Sequence, residues 1–520
     1  MKPKSQIGLI IAGVGVGLIG LLISAINLFW GELNQDEGWY LYAARATAAG
    51  QQAYRDFAFT QGPVFPQVYA WIQPWVEAQG LLAGRIFTGL LGLGALFAAA
   101  ALAARLSAPG WKVTAALITF GLLWLNVYHS YYSLVVKTYS LTALFIALGA
   151  LALSFAGKRH GLLLTALAGC AFALAAGVRL SAGVLLPVVG VGLLLYRARF
   201  PHAWLAFGVG GVVGLLPAFL RAPDAIWFWL VGYHAERAGG DWIFKAGFIS
   251  QFVQAYFVPL VLLALLPLVW WISRSHQWKL NPLALLLMIG CAAITLLHFI
   301  APFPYDDYQV IIMPVLVALI AAGLLHVIHQ LLPTALHDRA RVSVLIGVLL
   351  ATLAAAGSAP MNQQWFIQGR DRIWWPTKET ADLTVLRQTA DWLREQSEGA
   401  GELLTQDTYL AIAANMDVPP GLELGPFSYY PEWSDEKAHQ RHVMNRARML
   451  ELIATSTAEW AAFSEYGLAI ASPDVEPVTE ADALAFRQAL DERYELIKVV
   501  PHFGQAHTPL RIYRLREDLR

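Results

Sequence analysis

The segment G-E-L-N-Q-D-E-G-W-Y-L-Y-A-A-R-A-T-A-A-G-Q-Q-A-Y-R-D-F-A-F-T-Q-G-P-V-F-P occupies residues 31–66, directly after the first long apolar run. It sets Asp36 and Glu37 beside a hydrocarbon-length stretch. A short amphipathic run at 38–50 follows, carrying Tyr40, Tyr42 and Arg45, and then an aromatic, proline-punctuated return with Asp56, Gln61, Pro63 and Pro66. Carboxylates at a membrane boundary cost free energy unless water, a partner or a task stabilises them. A helix N-cap accounts for one acid, but not for two beside Trp39 and Tyr40.

Outside this stretch the chain is built for lipid. Of its 520 residues 57% are hydrophobic and 14% charged, with a mean hydropathy of +0.51. Soluble chains carry about a quarter charged residues. Many apolar runs reach roughly 18 residues, the length that crosses a bilayer. A polytopic membrane protein is the expectation, and a soluble enzyme is excluded. Zero net charge says little, because the charges are unevenly placed. Cys170 and Cys291 both sit inside apolar runs, so no disulfide framework is suggested. The run at 7–30, preceded by Lys2 and Lys4, is long for a signal peptide and lacks a small-x-small cleavage site. It reads as a retained signal-anchor helix.

Eleven spans are expected, near 7–29, 80–104, 112–130, 138–156, 161–178, 181–197, 203–220, 248–272, 281–301, 308–331 and 341–358. Alternate connections carry Lys2/Lys4, Arg105/Lys112, Lys158/Arg159, Arg197/Arg199, Arg274/Lys279 and Arg339/Arg341. By the positive-inside rule these face the cytoplasm. The chain is thus expected in the cytoplasmic (inner) membrane, with its N-terminus inside and Asp36 and the C-terminal tail outside. Between the fifth and sixth spans, G-V-R-L-S (177–181) leaves almost no loop. A broken hairpin lining a wet cavity fits as well as two clean spans, and would place Arg179 in that cavity.

Near Pro360 the composition changes, dividing a transmembrane part (1–360) from a charged, soluble-type α/β part (361–520). Three-and-four spacing predicts a helix at 380–396, and further helices are expected at 437–453 and 480–493. Strands are expected at 402–405, 468–471, 495–500 and 510–515, with a long structured loop at 415–431.

Polar groups that are expensive at membrane depth form the functional shortlist. Lys137 opens the fourth span on the side that the positive-inside rule disfavours. Arg179 costs roughly 2.5–3.5 kcal/mol near a bilayer centre, and an anion such as phosphate matches its planar guanidinium. Arg85 reads as a lesser candidate able to snorkel. Two aromatic outer segments carry His234 and the run Tyr305-Asp306-Asp307-Tyr308. No His/Cys/Asp spacing matches a metal pattern, and Asp306 with Asp307 falls short of a ligand set, leaving a divalent cation possible but unassigned. No phosphate-binding glycine loop is present either. Chemistry on the outer face would need an activated group that arrives by membrane.

One span, then D-E with an aromatic close behind, an amphipathic helix, Y-R-D-F and G-P-x-F-P: this resembles the GT-C membrane glycosyltransferases. More narrowly it resembles the branch of protein O-mannosyltransferases and the lipid A aminoarabinose transferase, glycosyltransferase family 39-like. The resemblance covers residues 1–360 in topology and 35–66 in motif. It implies a polytopic α-helical fold with a small extracytoplasmic α/β domain, and a polyprenyl-phosphate sugar donor used on the outer face. Asp36 lands on the family's candidate general base, and Glu37 on a second acid that orients acceptor or donor. Lys137 and Arg179 match the donor-phosphate cations by location, not by motif. Tyr40, Arg45, Asp56, Gln61, His234, Tyr305, Asp306 and Asp307 are the further candidate substrate contacts. Some relatives carry a basic or histidine residue where this chain has Gln61-Gly62.

The expected function is transfer of a sugar from a polyprenyl phosphate to an extracytoplasmic acceptor (protein, lipid or glycan). One base and no covalent partner point to inversion. The rival reading is a polyprenyl-lipid or glycolipid transporter without covalent transfer. Its repeat-related halves find no echo in this sequence.

Overall fold

Backbone in hydrocarbon must close its hydrogen bonds internally, and the apolar runs do so as helices. The computed structural model describes residues 3–219, 223–235, 240–272, 281–356, 379–397, 401–465 and 478–519. The helices up to 356 run α1 (Pro3–Trp30), α2 (Gln35–Ala48), α3 (Val64–Tyr69), α4 (Gln73–Gln79), α5 (Leu81–Leu106), α6 (Lys112–Trp124), α7 (Val127–Tyr132), α8 (Thr138–Leu153) and α9 (Gly161–Val178). They continue through α10 (Leu185–Leu195), α11 (Ala203–Phe219), α12 (Pro223–Trp227), α13 (Tyr233–Ala235), α14 (Trp242–Ala255), α15 (Phe257–Ile272), α16 (Pro282–Ile300), α17 (Met313–Leu331) and α18 (His337–Ala356). Among the described residues, six helices are long and apolar enough to cross a membrane: α1, α5, α9, α16, α17 and α18. The chain is a multi-pass membrane protein.

Of the eleven expected spans, those at 138–156, 181–197 and 203–220 are shorter apolar helices, α8, α10 and α11, and two more are built differently. The stretch expected as one span at 248–272 is two helices, α14 and α15, bent by 89°. Pro259 is the reason: it has no N–H to give the Ala255 carbonyl, and its ring would clash there. That carbonyl accepts from Asn126 Nδ2 instead, at 2.8 Å. The third expected span, 112–130, ends early at Trp124, and Asn126 caps the separate short helix α7 by accepting from the His129 N–H.

At one end of the bundle the basic connections gather. Arg105 lies 4.5 Å over the Phe155 ring and Arg341 5.2 Å over the Trp111 ring. Arg274 and Lys279 lie outside the described residues. The opposite helix ends carry the acidic segment.

The C-terminal part is a small sheet domain. Helix α19 (Asp382–Gln396) precedes β1 (Leu403–Leu404), α20 (Thr408–Ala414), α21 (Asp435–Gln440) and α22 (Arg446–Thr455). Then come β2 (Trp460–Ser464), α23 (Glu480–Arg493), β3 (Tyr494–Phe503) and β4 (Thr508–Leu515). The strand order is β1-β2-β4-β3, parallel between β1 and β2 and antiparallel elsewhere. The helix expected at 437–453 is broken in two, because His442 takes a left-handed conformation (φ 55°) and Asn445 starts a new cap. The strand expected at 468–471 and the 360/361 boundary lie outside the described residues. One hydrophobic core runs from Trp39 and Tyr42 of α2 through Leu410 of α20 to Leu404 and Ile512 of the sheet. Helix α2 is therefore shared between the membrane part and the sheet domain.

Candidate active site

The two adjacent acids have different surroundings. Asn34 is the N-cap of α2: its side chain accepts from the Asp36 N–H, and the Asn34 N–H donates to Glu37 Oε2 at 3.0 Å. This capping box ties down the first turn, and both acids gain from the positive end of the helix. Glu37 points inward. Arg85 grips it at two points, Nε to Oε1 at 2.8 Å and Nη2 to Oε2 at 2.7 Å, and the Val136 N–H adds a fourth bond, beside that from the Asn34 N–H, at 3.2 Å. The guanidinium also donates to the carbonyls of Leu28, Gly31 and Glu32. Glu37 is 0% exposed and Arg85 1%. Glu37 thus does not face substrate space as expected, and Arg85 does not snorkel. Together they staple α2 to the end of α1 and to α5.

Asp36 points the other way. Its Oδ2 meets Lys137 Nζ at 3.0 Å, and its Oδ1 accepts from Trp39 Nε1 at 3.2 Å. Lys137 also reaches Asp307 Oδ2 at 3.3 Å. Its ammonium bridges carboxylates from α2 and from the turn before α17. The other Asp307 oxygen is buried without a hydrogen-bond partner. Asp306 accepts from the Tyr128 hydroxyl at 2.6 Å.

Arg179 stands where α9 stops. The helix ends at Val178, Arg179 is extended (φ −143°, ψ 114°), and a tight 3-10 turn follows at Leu180–Val184. The open Val178 carbonyl accepts from the Gly62 N–H at 3.2 Å, so the return segment caps the broken helix. Only glycine fits this approach: a Cβ at Gly62 would lie 2.0 Å from the Gly177 carbonyl oxygen. The guanidinium lies 4.2 Å over the Tyr308 ring and 5.3 Å from the Tyr139 ring, and donates to Thr138 Oγ1 at 3.2 Å. Its Nε is buried with no hydrogen-bond partner. Tyr40 lies within electrostatic reach of Asp36, Lys137 and Arg179, and burial pushes its hydroxyl well above the usual range. His298, buried beside the Tyr308 ring, bonds Ser181 Oγ at 2.8 Å and leaves Nδ1 unpartnered.

Asp36, Lys137, Asp307, Tyr40 and Arg179 are thus brought together at one rim. Other expected contacts are elsewhere. Arg45 is not at the rim: it donates to the Met416 carbonyl and Asn415 Oδ1 and pairs with Asp417, fastening α2 to the sheet domain. Asp56 closes an exposed turn, accepting from the Gln52 N–H. The Gln61 carbonyl accepts from the Tyr54 hydroxyl. His234 reaches the Thr60 carbonyl at 3.3 Å. Tyr305 packs among Phe248, Phe303 and Tyr308. Thr138, Tyr139, Ser181 and His298 were missed by sequence reasoning. The weak signal available was position: Thr138 and Tyr139 follow Lys137, Ser181 follows Arg179, and His298 is a single polar residue near the end of α16.

No three His, Cys, Asp or Glu side chains among the described residues group as metal ligands. Asp36 and Asp307 fall short of a ligand set, and the Lys137 ammonium already lies between them. These residues do not fit a divalent cation.

No protein-family model matches the chain, and no curated protein matches it in sequence. Among solved structures, it is similar to ArnT from Cupriavidus metallidurans bound to undecaprenyl phosphate. The match covers 97% of this chain and 98% of that one, at 15% identity and a TM-score of 0.60, and ArnT in the apo state matches equally. The chain has the GT-C fold. The archaeal oligosaccharyltransferase AglB from Archaeoglobus fulgidus, in complex with an inhibitory peptide and a dolichol-phosphate, matches at 11% identity and a TM-score of 0.49. That match covers 99% of this chain and 74% of AglB. Within the GT-C fold of this chain, α2 carries the acids and the ends of α8 and α9 carry the cations.

Proposed function

We propose that this protein transfers a sugar from a polyprenyl-phosphate donor to an extracytoplasmic acceptor, with Asp36 as general base. The observation that carries the reading is the Asp36–Lys137–Asp307 bridge beside Arg179, whose Nε has no partner. A buried cationic nitrogen left without a hydrogen bond is costly, and an incoming phosphate oxygen would satisfy it. The ArnT structure of the same fold holds undecaprenyl phosphate.

The residues suggest an exchange of partners. A donor phosphate competes for Lys137 and draws its ammonium from Asp36, leaving that carboxylate open to an acceptor hydroxyl. The acceptor oxygen attacks the anomeric carbon as the bond from that carbon to the phosphate oxygen breaks. The bonding pair leaves with the polyprenyl phosphate, and the acceptor proton passes to Asp36. Lys137 and Arg179 stabilise the charge that develops on the phosphate. Both Glu37 oxygens are held by Arg85 and the helix cap, so the neighbouring acid is no candidate for a covalent intermediate. The reading is a single displacement with inversion, with Asp36 as the one base.

The test is transfer from labelled polyprenyl-phosphate sugars in proteoliposomes, with the product anomer read by NMR. Asp36→Asn lowers turnover by roughly 100- to 10,000-fold, the usual range for a positioned base. Full activity in that variant would overturn the assignment. Labelled lipid crossing the bilayer with no transfer would favour the transporter reading.

A further inference from the structure

The backbone donors at the start of α2 divide between two sources. The N–H groups of Asn34 and Asp36 are satisfied within the helix's own capping box. Those of Leu33 and Gln35 are satisfied by the C-terminal sheet domain. Leu33 N–H donates to Asp382 Oδ2 at 3.2 Å, and Gln35 N–H donates to Gln505 Oε1 at 2.8 Å. Asp382 opens α19 and also meets His507 Nε2 at 3.3 Å; Gln505 and His507 both lie in the turn between β3 and β4. The partners are 349 and 470 residues away in sequence from the groups they hold.

The same domain is seated along the rest of α2. A Cβ at Gly38 would lie 2.3 Å from the Tyr409 backbone nitrogen, so the two helices touch backbone to backbone. The Tyr42 hydroxyl accepts from the Val418 N–H at 3.0 Å, and Arg45 holds the 415–417 turn. On the membrane side the helix is held through Glu37 and Arg85. The Asp36 carboxylate is bound through side chains, those of Lys137 and Trp39, so the residue's backbone placement depends on what holds the main chain at 33–37.

We infer that the sheet domain is a positioning element of the active site, with Gln505 and Asp382 as positioning residues that set the Asp36 backbone through Gln35 and Leu33. Resting on the reading of Asp36 as base, this goes further by making the distant tail part of the catalytic apparatus. Misplacing a reacting group by about 1 Å can cost roughly 100-fold in rate, and two anchored donors on either side of Asn34 prevent such drift.

The experiment uses the full chain in nanodiscs and reads two quantities for Gln505→Ala, Asp382→Ala and Gln505→Glu. The first is hydrogen exchange of the fragment spanning 31–38. The second is steady-state transfer from a polyprenyl-phosphate sugar. Gln505→Ala and Asp382→Ala are expected to speed exchange at the Gln35 and Leu33 amides respectively by at least about fivefold. They also lower kcat by roughly 10- to 100-fold with donor KM within about twofold. Gln505→Glu keeps an acceptor oxygen and restores both quantities. Unchanged exchange in both alanine variants overturns the inference, as does faster exchange with unchanged kcat. An equal loss in Gln505→Glu would mark a merely structural residue and also overturn it. Should the wild-type chain show no transfer, the reading of Asp36 as base fails, and the positioning of a base fails with it. A wild-type chain that transfers while both alanine variants match it removes the positioning role alone.

Discussion

Glu37 and Arg85 form a two-point ion pair, 2.7 and 2.8 Å between nitrogens and oxygens, buried where α1, α2 and α5 meet. Its neighbour Asp36 makes its own ion pair at the rim with Lys137. One residue step along a helix turns the side chain by about a third of a turn. That rotation separates a fully buried acid held by Arg85 from one that faces Lys137 at the rim.

The first prediction follows from that division. Removing one partner of a buried ion pair costs about 3–5 kcal/mol, because the other charge is left uncompensated. Arg85→Met and Glu37→Gln are expected to lower the melting temperature in detergent and the yield of monodisperse protein. Asp36→Asn is expected to leave both near wild type while lowering transfer by roughly 100- to 10,000-fold. Thermal unfolding followed by size-exclusion chromatography separates the two outcomes.

A second prediction concerns the return segment. Gly62→Ala places a methyl group 2.0 Å from the Gly177 carbonyl oxygen, a backbone atom that cannot swing aside. The segment must retreat from the broken end of α9, and the bond from Gly62 N–H to the Val178 carbonyl is lost. Donor affinity is expected to fall at least about tenfold, because Arg179 is the next residue, with a loss of about 1–3 kcal/mol in stability. Donor titration and melting curves check both.

The third prediction distinguishes the two carboxylates on Lys137. Lys137→Met removes a charge-assisted contact worth about 1.5–3 kcal/mol, so donor KM is expected to rise roughly 10- to 100-fold. Asp307→Asn leaves Lys137 its bond to Asp36 and is expected to change donor KM far less. Equal effects in the two variants would show that Asp307 itself is needed to hold the donor.

A pH dependence follows from Glu423, which burial pushes up to about 7 despite hydrogen bonds from the backbone at Gly421 and Glu423. With its folded value above the unfolded one, the folded state binds more protons between about pH 4.5 and 7. Stability therefore falls as pH rises through that window, and the cost is complete above it. Glu423→Gln keeps an acceptor for the Gly421 N–H and removes the charge. It is expected to melt higher than wild type at pH 8, by up to roughly 3 kcal/mol in stability, with the gap closing near pH 5.

The candidate site was unevenly legible. Asp36, Lys137 and Arg179 stood out because each is a charge placed where lipid makes charge expensive, a cost visible in one dimension. Glu37 and Arg85 carried the same signal but proved to be each other's remedy, 48 residues apart. Arg45 and Asp56 looked alike in sequence, since a charge on an amphipathic segment does not reveal whether it faces a cavity, another domain or water. His298 and Thr138 gave little signal, because a single polar residue near a helix end is ordinary.

Local chemistry, read along the chain, dictated the membrane class, most helix ends and the acidic segment, since hydropathy and caps act over a few neighbouring residues. At 177–181 it left a broken hairpin and two clean spans equally open. Packing in three dimensions decided which acid faces the rim and which is buried. It also placed the sheet domain on α2. Those outcomes depend on contacts between residues up to 470 positions apart. The energy of such a contact exists only once the fold has brought both partners out of water.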